Sequence, residues 1–79
     1  MSYQEFIKLV KTQIVCDKQI REEVELQEDE LNVVWAVNVL QHHKALLTNN
    51  RGFYFEVTYD DDNELFEIQM YKRHLYVFF

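Results

Sequence analysis

The chain has 79 residues, which is enough for one hydrophobic core, and we interpret residues 1–79 as a single domain. Fourteen acidic and eight basic side chains give a net charge of -6, and 48% of the residues are hydrophobic. This composition excludes a disordered chain, because the apolar area is large enough to offset the entropy lost on folding. The short length also argues against most multi-substrate enzymes.

The cysteine content and the hydrophobic runs indicate a cellular compartment. Cys16 is the only cysteine, so no internal disulfide can form, and no Cys/His group has the spacing of zinc ligands. Residues 1–20 lack the basic start and apolar stretch of a signal peptide, and no run approaches the roughly 18 apolar residues of a membrane span. We expect a cytoplasmic protein with no membrane contact and no cofactor.

The N-terminal residues predict an amphipathic helix. Ser2 and Glu5 have the spacing of a capping box, which marks a helix start. Apolar residues then recur at steps of three and four, and this pattern predicts a helix over about residues 3–16. The apolar stripe consists of Tyr3, Phe6, Ile7, Val10 and Ile14.

A polar connector follows the helix. Residues 22–30 contain six carboxylates and no basic side chain, and clustered like charges repel one another. We expect a solvated segment that contains at most another helical turn or a short strand at residues 24–26.

Residues 32–41 predict the first strand, because valines and Trp35 suit a pleated surface. The run is apolar at both odd and even positions, so a buried helix is the competing interpretation. Val33, Trp35, Val37 and Val39 would share one face of the strand. With His42 and His43 as a two-residue turn, the second strand would cover residues 44–48, and Val39 would face Leu46.

The remaining residues predict a hairpin. Residues 53–59 and 66–71 alternate between apolar and polar side chains, and residues 60–63 form a polar connection between them. Residues 49–52 form the preceding turn, where Gly52 is the residue most able to adopt a positive φ. The predicted fold is α+β, with the amphipathic helix packed on an antiparallel sheet of about four strands in meander order.

Three motifs carry a family resemblance: residues 33–35 (VVW), residues 40–47 (LQHHKALL) and residues 54–59 (YFEVTY). They resemble motifs of a family of small uncharacterised proteins from bacteriophages and prophages of Gram-positive bacteria. The resemblance implies a phage origin and a compact cytosolic protein, and it brings no catalytic residues. The chain has Asp-Asp-Asp at residues 60–62 where that family has Asn-Gly-Asp.

Eleven of the fourteen acidic residues fall in two clusters, within residues 22–30 and 60–67. We interpret the clusters as an electronegative side that binds a basic groove on a nucleic-acid-handling protein, because complementary potentials steer association. The alternative is two solvated loops that keep an aromatic-rich domain in solution. The predicted partner-binding residues are Glu28, Asp29, Glu30, Asp60, Asp61, Asp62 and Glu64.

Other chemistry has weaker support in the sequence. His42 and His43 would point to opposite faces of a strand and could not chelate one metal ion together. Residues 60–64 lack the ligand pattern of an EF-hand, so we expect no metal site. Cys16 at a helix end is expected to be a small buried or semi-buried hydrophobe. The eight basic residues are dispersed, so we expect no direct nucleic-acid binding.

The C-terminal residues are unusually apolar for a chain end, where fraying is usual. A terminal strand that so small a domain cannot cover is expected to pair with a second copy or with the sheet edge of a partner protein. We therefore predict a homodimer interface formed by Tyr76, Val77, Phe78 and Phe79.

These observations lead to one functional hypothesis and two alternatives. The leading hypothesis is a non-enzymatic phage accessory protein that binds and inhibits a host or bacterial-defence protein, with its acidic surface mimicking nucleic acid. The first alternative is a small-molecule binder, such as a sponge for a nucleotide signal, with a pocket between protomers that Trp35, Tyr54 or Tyr71 lines. The second is a structural protein that only self-associates.

Overall fold

A computed structural model of the protein describes residues 1–40 and 42–72. Its four described strands form one antiparallel sheet in which strands that follow one another in the chain are neighbours, and a helix precedes them, which confirms the predicted α+β meander. The predicted dimer strand, Tyr76 to Phe79, lies outside the described residues. The elements are α1 (Tyr3–Cys16), α2 (Lys18–Glu23), a 3-10 turn (Glu28–Glu30), β1 (Asn32–Val39), β2 (His42–Thr48), β3 (Phe53–Asp60) and β4 (Leu65–Lys72).

Helix α1 begins and ends at the residues that the sequence pattern predicts. The Ser2 side chain accepts a hydrogen bond from the Glu5 backbone N–H at 3.1 Å, and the Ser2 hydroxyl in turn donates to the Glu5 carboxylate at 3.1 Å. Phe6, Val10 and Ile14 are fully buried. Tyr3 is 52% exposed, so the buried stripe is narrower than predicted.

The connector is more ordered than the sequence analysis expects. The Asp17 carboxylate caps α2 by accepting a hydrogen bond from the Ile20 N–H at 3.0 Å. Ile20 and Leu26 are buried in the same core cluster as the α1 residues. Residues 24–26 do not form a strand, because they connect α2 to the 3-10 turn and bury Leu26 on the way.

Strand β1 contains a bulge, and the buried-helix interpretation of this segment is wrong. Val33 pairs with Leu47 and Trp35 with Leu46, so Val34 is an extra residue. A bulge of one residue reverses the alternation of side chains. Val33 and Trp35 therefore lie on opposite faces of the sheet, contrary to the prediction that they share one.

The turn between β1 and β2 differs from the prediction. Strand β1 ends at Val39, which pairs with His42, so His42 and His43 belong to β2 rather than to the turn. The predicted pairing of Val39 with Leu46 is also wrong. The observed register brings His43 opposite Asn38 and Ala45 opposite Ala36, which buries His43 and Ala45 together under the helix.

The sheet has two unlike faces. One face, here called the helix face, lies under α1 and carries the buried residues of the strands, among them Ala45, Leu47, Phe55 and Val57. The buried residues of α1, α2 and the connector belong to the same cluster, so these elements share that side. The other face, here called the open face, carries Trp35, Val37, Val39, Lys44, Leu46, Tyr54, Glu56, Thr58, Glu67, Gln69 and Tyr71.

Residues 49–52 form the turn between β2 and β3. The Asn49 side-chain oxygen accepts hydrogen bonds from the N–H groups of Arg51 at 2.9 Å and Phe53 at 3.2 Å. Gly52 has a φ of +101°, and nothing lies within 4 Å of where a Cβ would be. The backbone conformation, rather than lack of space, therefore favours glycine here.

Candidate functional site

The turn between β3 and β4, residues 60–64, gathers four of the predicted partner-binding carboxylates at one end of the sheet. The Asp60 carboxylate organises the turn by accepting hydrogen bonds from the Asn63 amide at 2.7 Å and the Asp62 N–H at 3.0 Å. The Asn63 hydrogen bond is the main reason that the pKa of Asp60 lies below its ordinary value, with the backbone N–H groups of Asp62 and Asn63 adding to the effect. Glu64 completes the turn with a φ of +52°. We call these residues the acidic turn.

One carboxylate of the acidic turn is attached to the core. Asp61 accepts a hydrogen bond from the Nε2 atom of His43 at 2.5 Å, and His43 is 7% exposed. The Nδ1 atom of His43 contacts the Asn38 side-chain oxygen. The amide nitrogen of Asn38 donates to the Met1 carbonyl at 3.0 Å, which directs its oxygen toward the ring. Both ring contacts are hydrogen bonds when both ring nitrogens carry a proton.

The rings beside His43 complete this cluster. The centroids of Phe6 and Tyr59 lie 5.8 Å and 5.9 Å from that of His43. Desolvation by burial raises the pKa of Tyr59, and the nearby charges of Asp61, Glu64 and Asp60 raise it further. The sequence analysis missed the pairing of His43, Asn38 and Asp61. Asn38 was the available signal, because it is the one polar residue in the apolar run from Val33 to Val39.

The second predicted cluster lies at the other end of β3. The Glu30 carboxylate pairs with the Arg51 guanidinium at 2.5 Å, and Arg51 belongs to the turn that precedes β3. The seven steps from the first to the last residue of β3 span roughly 23 Å. The two acidic clusters therefore do not form one continuous surface.

The predicted carboxylates also differ in their internal contacts. Glu28 accepts a hydrogen bond from the Thr12 hydroxyl at 2.9 Å, and Glu30 accepts one from the Gln27 N–H at 3.0 Å. Within residues 1–40 and 42–72, the side chains of Asp29, Asp62 and Glu64 make no hydrogen bond or ion pair. In the acidic turn, Asp62 and Glu64 are thus exposed carboxylates without a partner among the described residues.

The open face presents a shallow apolar hollow of about 430 Å³. Trp35 and Val37 of β1 line it together with Lys44 of β2 and Thr58 of β3. Tyr54 and Tyr71 pair with each other on the same face, outside the hollow. The structure therefore collects the three aromatic residues of the small-molecule alternative on one face.

The described histidines, Cys16 and the acidic residues are the side chains that could ligate a metal ion. His42 is exposed and His43 is buried, as expected of neighbours on one strand. Cys16 is exposed, so the prediction of a buried or semi-buried thiol is wrong, because the last residue of α1 falls off the buried stripe. In the described part of the chain, no three His, Cys, Asp or Glu side chains are grouped as metal ligands.

No described helix has the length and apolarity to cross a membrane.

The fold and this site define a small α+β domain in which no described helix covers the open face and an acidic turn lies beside a buried histidine. The chain belongs to the family of unknown function DUF6275, whose model matches residues 3–77. Comparisons with curated proteins and with solved structures give no match.

Proposed function

We propose that this protein is a non-catalytic binding protein of bacteriophage or prophage origin that inhibits a host or bacterial-defence protein in the host cytoplasm. The acidic turn is the proposed contact surface. The observation that supports it most is the gathering of Asp60, Asp61, Asp62 and Glu64 in one turn, without a lysine or arginine contact among the described residues. The phage origin follows from the motif resemblance alone.

The proposed partner is a nucleic-acid-handling protein with a basic patch. Carboxylates held close together in one hydrogen-bonded turn attract such a patch and orient it before contact. Because Glu28, Asp29 and Glu30 lie at the far end of β3, the proposal restricts any nucleic-acid mimicry to the acidic turn and leaves that cluster out of the interface.

Two double variants with the same charge change test this proposal. Asp62→Asn with Glu64→Gln removes the two uncontacted carboxylates of the turn, and Glu28→Gln with Asp29→Asn removes two at the other end. Each variant is used to capture proteins from a lysate of Gram-positive cells, and the captured protein is then purified for affinity measurements.

We expect the turn variant to bind the captured protein at least about tenfold more weakly than wild type, a loss of about 1.4 kcal/mol. The control variant should bind within about twofold of wild type. An equal loss for both variants would mean that only net charge matters, and no loss for the turn variant would reject the acidic turn as the contact.

The hollow on the open face favours nucleotide binding as a second candidate function. The Trp35 ring could stack on a base while the Lys44 ammonium binds a phosphate group. A nucleotide at 100 times its dissociation constant would add about 2.7 kcal/mol to the stability of the wild-type protein. A thermal-shift screen should then show a rise in Tm that Lys44→Met abolishes, and an unchanged Tm with every nucleotide would reject this candidate.

A further inference from the structure

The outer edge of β1 differs from every other strand of the sheet. No charged residue occurs among its eight residues, whereas β2 contains Lys44, β3 contains Glu56 and Asp60, and β4 contains Glu67. Natural edge strands are usually protected against pairing by charged side chains, proline or a bulge. The only such protection on β1 is the bulge at Val34, which leaves residues 35–39 as regular strand.

This edge is also exposed and apolar. Trp35 is 41% exposed, Val37 40% and Val39 58%, and all three lie on the open face. Within the described residues, the only strand that pairs with β1 is β2. Among residues 1–40 and 42–72, nothing therefore pairs with the outer backbone groups of β1 or covers this row of side chains.

We propose that the edge of β1 is a self-association surface, on which a second copy of the chain pairs antiparallel to form a continuous eight-stranded sheet. The proposal is independent of the function proposed above. The two-fold axis would pass through Val37, which brings Trp35 of each copy opposite Val39 of the second copy. Both α1 helices would then lie on the same side of the extended sheet.

Charge and symmetry favour a second copy as the occupant. Each chain has a net charge of -6, so identical molecules repel wherever their carboxylates meet. The uncharged β1 strand allows two copies to approach without bringing carboxylates into contact. The side chains of β1 are also self-complementary about Val37. The two-fold axis places Trp35 of each copy opposite Val39 of the second copy, and an aromatic residue opposite a β-branched residue is a favourable cross-strand pair.

A disulfide cross-link tests this register. At the two-fold axis the Cα atoms of residue 37 would be about 4.5–5.5 Å apart, within the range that a disulfide spans. Val37→Cys is made in a Cys16→Ser background, because Cys16 is exposed and could form its own cross-link. Leu65→Cys in the same background is the control, since Leu65 is 63% exposed on the opposite edge strand.

Mild oxidation should convert most of the Val37→Cys protein into a covalent dimer and leave most of the Leu65→Cys protein monomeric. Equal cross-linking of both, or none of either, would reject the proposed register. Mass in solution provides a second measurement: Val39→Lys should convert a wild-type dimer into a monomer, and Leu65→Lys should not. A monomeric wild type at high micromolar concentration would overturn the proposal.

Amide hydrogen exchange distinguishes edge pairing from packing of two open faces. If the strands pair, some amides of residues 35–39 should exchange at least about tenfold more slowly at high than at low protein concentration. If the protein is a dimer but the amides of residues 35–39 are not protected at high concentration, strand pairing is contradicted and face-to-face contact is indicated.

Discussion

The hydrogen bond between Asp61 and His43 joins the acidic turn to the core, and we expect Asp61→Ala to destabilise the whole domain. The change removes the acceptor of the His43 Nε2 atom while the ring remains buried, at 7% exposure. A buried polar group without a partner costs about 1–3 kcal/mol. In a domain of this size each kcal/mol lowers Tm by about 4–8 °C, so the melting temperature should fall by at least about 4 °C.

Thermal and urea unfolding, followed by circular dichroism at neutral pH, measure this effect. Asp62→Ala is the matched control, because it removes the same charge from the same turn and its carboxylate has no described partner. We expect the control to change stability by less than about 0.5 kcal/mol, as is usual for surface substitutions.

A double-mutant cycle shows whether Asp61 acts through the histidine. His43→Phe fills the space between the Phe6 and Tyr59 rings with an apolar ring that needs no acceptor. In that background Asp61→Ala should cost much less than in the wild type. The reasoning is refuted if Asp61→Ala and Asp62→Ala are equally destabilising, or if the Asp61 effect is unchanged by His43→Phe.

Three further predictions concern the core, the helix cap and the acidic turn. Phe55→Ala, at a fully buried position, should lower the free energy of unfolding by about 3–5 kcal/mol and leave much of the protein unfolded at 37 °C, as measured by circular dichroism. A thermal melt like that of the wild type would contradict the assignment of Phe55 to the core. Ser2→Ala removes the acceptor of the Glu5 N–H and should cost about 0.5–2 kcal/mol in urea titrations, and no loss would mean that the cap contributes nothing. Asn63→Ala should raise the pKa of Asp60 toward its ordinary value of 3.8, measured by NMR of the carboxyl carbon. Because the pKa of Asp60 is lower in the folded state, its ionisation stabilises the fold above about pH 3.8, and this contribution is lost as pH falls through the folded-state pKa. The difference in unfolding free energy between wild type and Asn63→Ala should therefore shrink over that acid range.

The two carboxylate clusters place the negative charge of this protein at two separate ends of β3. The sequence shows two acidic segments, and their distance along the chain says nothing about their distance in space. Because β3 runs from the turn containing Arg51 to the acidic turn, one cluster lies near each end of that strand. An extended electronegative side formed by both clusters is therefore not present, and a binding hypothesis based on charge has to choose one of them.

Much of the fold could be predicted because its signals are local. The bounds of α1 follow from the cap at Ser2 and the three- and four-residue repeat, and the β3–β4 hairpin follows from strict alternation on both sides of a polar turn. These patterns reflect interactions between residues close in sequence, which a single chain reveals without knowledge of its tertiary contacts.

Only the tertiary structure decided the arrangement of β1, the position of the β1–β2 turn and the burial of His43. An apolar run without alternation does not specify which side chains face the helix, and a one-residue bulge reverses that choice. The pairing of Asn38, His43 and Asp61 joins residues up to 23 positions apart, so it depends on the register of three strands. Long-range packing beneath α1 selects that register, and no local pattern in the sequence encodes it.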